Sequence, residues 1–539
     1  MPQKNCSPLL HLPFWAFVPL LALTAWLSSP GIFLGDEYVY AEHTVSLSRG
    51  TFVNDGHHFA NRFGLLLPGV LFVKLLGTHY AVFFLWPFLC FLLLLYSVRR
   101  ILRKEDEQLA FTVFFLSAFN PALLRLAADV AVDLVMTTFM TFAVFFTYYI
   151  RRTEFGERTG GILVAFTLFY AVFTKMTAIY CFPFFGLLLL RDWRRRQFYA
   201  FWKSLLLSSL LLYLLYFGAY YYDTGDALFR FRGFEGTHGS GEVVPWNYRN
   251  RPWQDILARI TVYPVAFFLF APGYGMLMLS ATFAIFVKKL WKKSGLACYA
   301  TVYFLTIIAA FWFGSSSFRQ YNPVILAERM LLPILPAAAV LTGLLWSGKQ
   351  EILLGKNFVR AKDIICGLLI LFCFALFAVR PDKGLGLSCS VFILLLFIFT
   401  QRKKIFFSPL LKMLFLLPFA VQILYRICVV VPEIPFFHER RFLQNAEKQR
   451  VKTLVLTDDR TAQMQAIFFD FQPTEYVTVS SVNQPAADLN YQHVVLHDNR
   501  ERLQSIRFSN QENIGKVKQL ISDTLLYRKN VHFYRLRQE

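Results

Sequence analysis

Long apolar runs joined by short charged connections dominate the chain as far as residue 431. The runs fall at about 12–30, 79–98, 109–124, 130–150, 160–190, 200–222, 262–287, 297–313, 330–347, 364–380, 385–400 and 406–431. A helix crosses the hydrocarbon of a bilayer with roughly 20 mostly apolar residues, so most of these runs read as single crossings. The stretch 160–190 is longer than one crossing needs, and basic clusters flank it on both sides: Arg151, Arg152 and Arg158 before, Arg191, Arg194, Arg195 and Arg196 after. Basic loops stay on the cytoplasmic side, so this segment is expected to go out and return, turning at its one internal charge, Lys175. The pattern predicts about 13 transmembrane helices. The first run is read as an uncleaved first span. The segment RFGLLLPGVLFVKLLG, with Pro68 and Lys74 inside it, is expected to lie along the interface. With every basic cluster inside, Asp36-Glu37, Lys175, the loop 223–261 and the tail all fall outside.

The pattern changes at about residue 432. Strand-like runs KTLVLTDD, TEYVTVSS, HVVLHD and VHFYRL follow, with helical stretches expected near 460–470 and 511–527. Strands alternating with helices predict a small C-terminal α/β domain over 432–539, outside the membrane, behind a transmembrane domain over 1–431 whose outer loops are about 31–78 and 223–261. The tail has no glycine-rich phosphate loop.

Composition agrees with a polytopic α-helical membrane protein. Of the 539 residues 56% are hydrophobic and only 17% charged, below the share usual in a soluble protein. The formal net charge of +21 would suggest nucleic acid in a soluble chain. Here the basic residues sit in the connections between apolar runs, which is topology and attraction to anionic lipid headgroups rather than a nucleic-acid footprint. The eight cysteines form no CxxC pair and seven lie in apolar runs, so they read as small buried hydrophobes.

Ionisable residues in such a chain are costly to desolvate and concentrate at sites. Asp36 and Glu37 open the first outer loop and read either as acids at the start of a helix or as a general base and cation ligand at the membrane surface. Asp129 and Asp133, four apart, are expected on one helix face, where like charges call for a cation such as Arg125. Lys175 either snorkels or holds a phosphate while its stem stays in the apolar layer. Arg329 either pairs with the adjacent Glu328 or grips phosphate at two points. His57 is a candidate metal ligand, and Arg62 a further candidate for phosphate. The loop 223–261 carries Trp246, Tyr248, Trp253, Arg249 and Arg251 around a glycine-rich centre, which suits either sugar stacking or an interfacial aromatic belt.

Four segments in this order resemble the GT-C superfamily of membrane glycosyltransferases, in particular the protein O-mannosyltransferases and the lipid A aminoarabinose transferase. They are GDEYVYAEHTVSLSRG, NPALLRLAADVAVDLVMTTFMTFAVF, VFTKMTAIYCFPFFGLLLL and AERMLLPILPAAAVL. Met176 stands where that family usually has Gly, and Met330 where it has an aromatic residue. The resemblance covers most of residues 1–347. It implies a polyprenyl-phosphate sugar donor, an acceptor that is a glycan, a lipid or a protein, and inversion at the anomeric carbon. It implies Asp36 as the catalytic acidic residue and Lys175 and Arg329 as contacts of the donor phosphate. Some members use a divalent metal (Mg, Mn or Zn), for which Glu37, Asp133 and His57 are the candidate ligands here. The alternative reading is a transporter or flippase of polyprenyl-linked glycans. A bacterial inner membrane is the expected location.

Overall fold

The computed structural model describes residues 13–29, 31–32, 35–237, 251–271, 273–286, 295–317, 321–347, 419–431, 435–450, 452–457, 462–463, 465–481, 493–499, 521–528 and 531–536. The expected spans at 364–380 and 385–400, most of that at 406–431, and the loop residues Trp246, Tyr248 and Arg249 lie outside the described residues. The chain divides into two compact units. One comprises Met1–Ser29, Val53–Pro68 and Leu85–Val431; the other comprises Pro30–Phe52, Gly69–Phe84 and Pro432–Glu539.

The helices, in chain order, are α1 (Val18–Ser28), α2 (Asp36–Arg49), α3 (Phe63–Leu76), α4 (Leu85–Leu102), α5 (Glu107–Ala118), α6 (Pro121–Ala127), α7 (Val132–Ile150), α8 (Glu157–Thr174), α9 (Phe182–Arg195), α10 (Tyr199–Thr224), α11 (Phe229–Thr237), α12 (Trp253–Phe270), α13 (Gly275–Phe286), α14 (Gly295–Phe313), α15 (Ile334–Ser347), α16 (Phe419–Val430) and α17 (Pro435–Lys448). Among the described residues four helices are long and apolar enough to cross a membrane: Tyr80–Leu102, Val132–Ile150, Tyr199–Thr224 and Gly295–Phe313. The pair α5 and α6 makes a fifth apolar segment, bent by 64°. The bend has a local cause. Asn120 accepts the free N–H groups of Ala122 and Leu123, and Pro121 supplies a helix start without an N–H, so a new helix begins where α5 stops.

In the first unit α8 packs between α7 and α10, while α15 packs against α5, α13 and α14. Phenylalanines fill the interior, among them Phe91, Phe114, Phe145, Phe184, Phe304 and Phe311. The outside is equally apolar. On α10, Leu206, Leu207, Leu210, Leu211, Leu214 and Leu215 are each more than half exposed. A stripe that wide is stable only in lipid, so the protein is an integral, polytopic membrane protein. At the end of α9, Asp192 is fully buried and takes the guanidinium of Arg151, that of Arg191 (3.1 Å) and the indole N–H of Trp202 (2.9 Å), which fixes the turn into α10. The expectation for the cysteines is corrected in part. Cys90 and Cys181 are buried, but Cys298 and Cys428 are exposed.

In the second unit the tail strands β1 (Thr453–Thr457), β2 (Val477–Ser481), β3 (His493–Asn499), β4 (Ile521–Arg528) and β5 (Val531–Leu536) form one sheet in the order β2-β1-β3-β5-β4. β1 runs parallel to β2 and β3, with Thr453 opposite Val477 and His493; β5 is antiparallel to β3 and β4. Residues 521–527, expected to be helical, are the strand β4 instead. Pairing along β5 supplies the backbone partners that a strand needs and a helix does not, so tertiary context overrides the local pattern. The same unit holds α2. Its N-terminal turn carries Asp36 and Glu37, which suit the positive end of the helix dipole, and Gly50 closes it in the left-handed conformation (φ 73°) with its N–H on Leu47 and Ser46.

Candidate functional site

Lys175 sits in a break. Its N–H still bonds Ala171 (2.9 Å), but its backbone is extended (φ −152°, ψ 131°), so α8 ends at Thr174 and a 3-10 turn, Met176–Cys181, follows. The break turns the side chain into the first unit, where it is buried. The ammonium donates to Asp133 Oδ1 at 2.6 Å and lies 2.9 Å from Met330 Sδ. Asp133 stands in the first turn of α7, so the pair joins two helix ends. Burial holds Lys175 below the ordinary lysine range, to about 8; the Asp133 carboxylate opposes the shift and the guanidinium groups of Arg62 and Arg329 add to it. Thus Lys175, Asp133, Arg62 and Arg329, read separately from the sequence, come together.

Arg62 is brought there by close backbone approach. It precedes α3 and lies over the Phe59 ring (5.0 Å). Two residues on, Gly64 meets Thr174 so closely that a Cβ on it would lie 2.0 Å from Thr174 Oγ1 and 3.0 Å from Thr174 Cα. The Gly64 carbonyl also accepts from Tyr170 (2.7 Å) and Trp86 (3.0 Å). Gly64→Ala is therefore expected to push the start of α3 off the end of α8, parting Arg62 from Lys175. Overpacking of this kind costs about 1–3 kcal/mol, and thermal unfolding of the purified variant checks it.

Asp129 is next in the cluster. It does not share a helix face with Asp133 as expected. α7 begins only at Val132, capped by Ala131, and Asp129 lies in the turn before it. Its Oδ1 accepts the Val130 N–H at 2.7 Å. Burial raises its pKa, and Arg125, Arg329 and Arg426 lower it. Glu328 pairs not with its neighbour Arg329 but with Arg125 (3.2 Å), while the Tyr274 hydroxyl donates to the Glu328 carbonyl. Arg426 donates to the carbonyl of Ser28 (3.0 Å), and Ser29 donates to that of Ala128 (2.9 Å), which ties α1 and α16 to the same turn. Arg259, fully buried in α12, donates to the carbonyls of Val324 and Trp312 and so fixes the loop that carries Glu328 and Arg329. Five cations, Arg62, Arg125, Lys175, Arg329 and Arg426, thus surround three carboxylates, Asp129, Asp133 and Glu328. Among the described residues of this unit the cations at these broken helix ends outnumber the carboxylates, a charge balance that attracts anions.

Arg426 and Arg259 were not singled out from the sequence. Both are lone cations in or beside apolar stretches, the signal that drew attention to Lys175.

His57 packs its ring against His58 (4.6 Å) and Phe59 (4.7 Å), and its Nδ1 accepts the Phe59 N–H. Among the described residues no three His, Cys, Asp or Glu side chains gather as metal ligands would, and the Asp133 carboxylate already holds the Lys175 ammonium. Asp36 and Glu37 belong to the second unit, at the start of α2; Asp36 is half-buried and Glu37 buried. Tyr38 beside them is held protonated by burial and by Glu42.

No family model matches the chain, and no curated protein matches it in sequence. Among solved structures, ArnT from Cupriavidus metallidurans in the apo state is similar over 97% of this chain and 97% of that one, with a TM-score of 0.55 and 13% identity. ArnT from the same organism bound to undecaprenyl phosphate gives the same coverage and TM-score at 14% identity. At this identity the likeness establishes the fold, which this chain shares along nearly its whole length.

Proposed function

We propose that this protein is a GT-C glycosyltransferase that moves a sugar from a polyprenyl-phosphate carrier to a glycan, lipid or protein acceptor at the outer face of the membrane, with inversion. The observation that carries the reading is the cation excess around Lys175, set in a fold that in another protein has been seen with undecaprenyl phosphate bound. A carrier with a long apolar tail enters sideways from lipid, and its phosphate needs cations at the end of the path.

The chemistry follows from charge. A sugar joined to polyprenyl phosphate is a phosphodiester with one negative charge. When the anomeric C–O bond breaks, the leaving carrier is a monoester that carries about −1.5 to −2 at pH 7. Cations that bind the developing charge more tightly than the starting one lower the barrier. Lys175, Arg62 and Arg329 take that role, and Asp129 and Asp133 hold the cations in place. Asp36 removes the proton of the acceptor hydroxyl as its oxygen bonds the anomeric carbon from the opposite side, with Glu37 as its neighbour in the first turn of α2.

The test is titration of the purified full-length protein with undecaprenyl phosphate across pH. Burial lowers the Lys175 pKa to about 8, so its ammonium is expected to lose its proton within the range of the titration. The monoester's second ionisation, near pH 6, is complete by then. Affinity is therefore expected to be highest near pH 7, to be about halved by pH 8 and to weaken further above it, by at most about tenfold per pH unit for one proton. No saturable binding at pH 7 would remove the carrier from the reading.

A further inference from the structure

The C-terminal part of the second unit contains a turn that sequence patterning did not mark. Asp470 and Phe471 are consecutive non-glycine residues in the left-handed region, at φ 54° and 59°. Such residues are rare, and for a bulky one the surroundings must enforce the conformation. Here they do. Phe471 N–H bonds the Ala466 carbonyl (2.7 Å) across a 3-10 turn, Gln465–Phe469. The Asp470 carboxylate takes the guanidinium of Arg440 on one oxygen and the Tyr80 N–H (3.1 Å) on the other, and Thr78 donates to the Asp470 carbonyl. Arg440 in turn covers the Tyr80 ring at 4.4 Å.

The turn delivers Phe471 to α2. Its ring stacks on Tyr38 (6.3 Å, 17°) and meets Phe83 edge-on (5.9 Å), and its carbonyl accepts from Arg49 Nη2 at 2.7 Å. Tyr38 and Arg49 are eleven residues apart, three helical turns, so they stand on one face at opposite ends of α2. One residue grips both ends of the helix. Tyr38 also donates to the Gln463 carbonyl (3.4 Å).

We propose that Phe471, held by Asp470 and Arg440, is a positioning residue that fixes α2 and so aims Asp36 and Glu37, two and one residues before Tyr38. This rests on the acid's proposed role and adds to it a function for the C-terminal segment. Undecaprenyl phosphate binding is assigned to the first unit, so the two readouts separate.

The test uses the full-length protein as the sole copy in cells, with transfer read by mass spectrometry of envelope glycans and lipids, and undecaprenyl phosphate affinity measured on purified samples. Phe471→Gly removes the ring while relaxing the backbone. Transfer is expected to fall at least tenfold with carrier affinity within twofold of the native protein, and Phe471→Tyr to retain transfer. Arg49→Gln, at an exposed position, is expected to lower transfer with the same split, and it decides alone if Phe471→Gly does not accumulate. Unchanged transfer in these variants, or carrier affinity lost in parallel with transfer, overturns the proposal. Asp36→Asn run alongside tells the failures apart. If it abolishes transfer while Phe471→Gly and Arg49→Gln do not, positioning alone is wrong; if it leaves transfer intact, the acid's role and the positioning fall together.

Discussion

Asp36→Asn is expected to reduce sugar transfer by about 10²–10⁴-fold, the range a positioned general base contributes, without unfolding the protein. The substitution is nearly isosteric and removes one charge from the start of α2. Favourable charge at a helix N-terminus contributes ~0.3–1 kcal/mol when exposed and up to ~2 kcal/mol when partly buried, as Asp36 is, so thermal unfolding should shift without the fold being lost. What asparagine cannot do is accept a proton from an acceptor hydroxyl. Undecaprenyl phosphate binding should persist, because the cations assigned to it are Lys175, Arg62 and Arg329. Glu37→Gln, at the buried neighbour, separates the two acids: a loss smaller than that of Asp36→Asn assigns the base to Asp36. Product within twofold of the native level in Asp36→Asn would take Asp36 out of the chemistry.

How much of this was legible in the chain depends on the range over which each signal acts. The membrane character, the break at Lys175 and the acids at the start of α2 are local: hydropathy, flanking arginines and a Gly-Asp-Glu start suffice. Pairings were not legible where partners lie far apart. Lys175 and Asp133 are separated by 42 residues and meet only because two helix ends converge. Glu328 was weighed against its neighbour Arg329, yet its partner is Arg125, brought by the bend between α5 and α6. Adjacent residues in a turn diverge, which is why the nearest charge in sequence was the wrong one. Asp129 and Asp133 were set on one face by assuming that helical spacing extended across both, but the helix starts between them. Arg426 carries the same signal as Lys175, a lone cation in an apolar run, but the run 406–431 reads as a span with or without it. The Asp470–Phe471 turn has little sequence signal: aspartate tolerates left-handed backbone, but phenylalanine does not and no glycine marks the place.

Lys175→Met should weaken carrier binding by roughly ten- to a hundredfold, and the way it does so separates a binding role from a structural one. The ammonium and the Asp133 carboxylate form a buried pair whose side chains are 8% and 3% exposed. Removing one partner of such a pair leaves the other charge uncompensated, at a cost of roughly 3–5 kcal/mol, so Lys175→Met alone should be strongly destabilised. Replacing both partners by apolar groups of similar volume is often neutral or stabilising. The double variant Lys175→Met with Asp133→Leu is therefore expected to recover most of the thermal stability that the single variant loses. Undecaprenyl phosphate affinity should not recover with it. A charge-assisted contact to phosphate contributes about 1.5–3 kcal/mol, roughly ten- to a hundredfold in affinity, and no apolar substitute restores it. Stability regained with binding still weakened assigns the ammonium to the phosphate. Stability and native affinity regained together would show that Lys175 only neutralises Asp133, and the anion site would then have to rest on Arg62, Arg329 and Arg426.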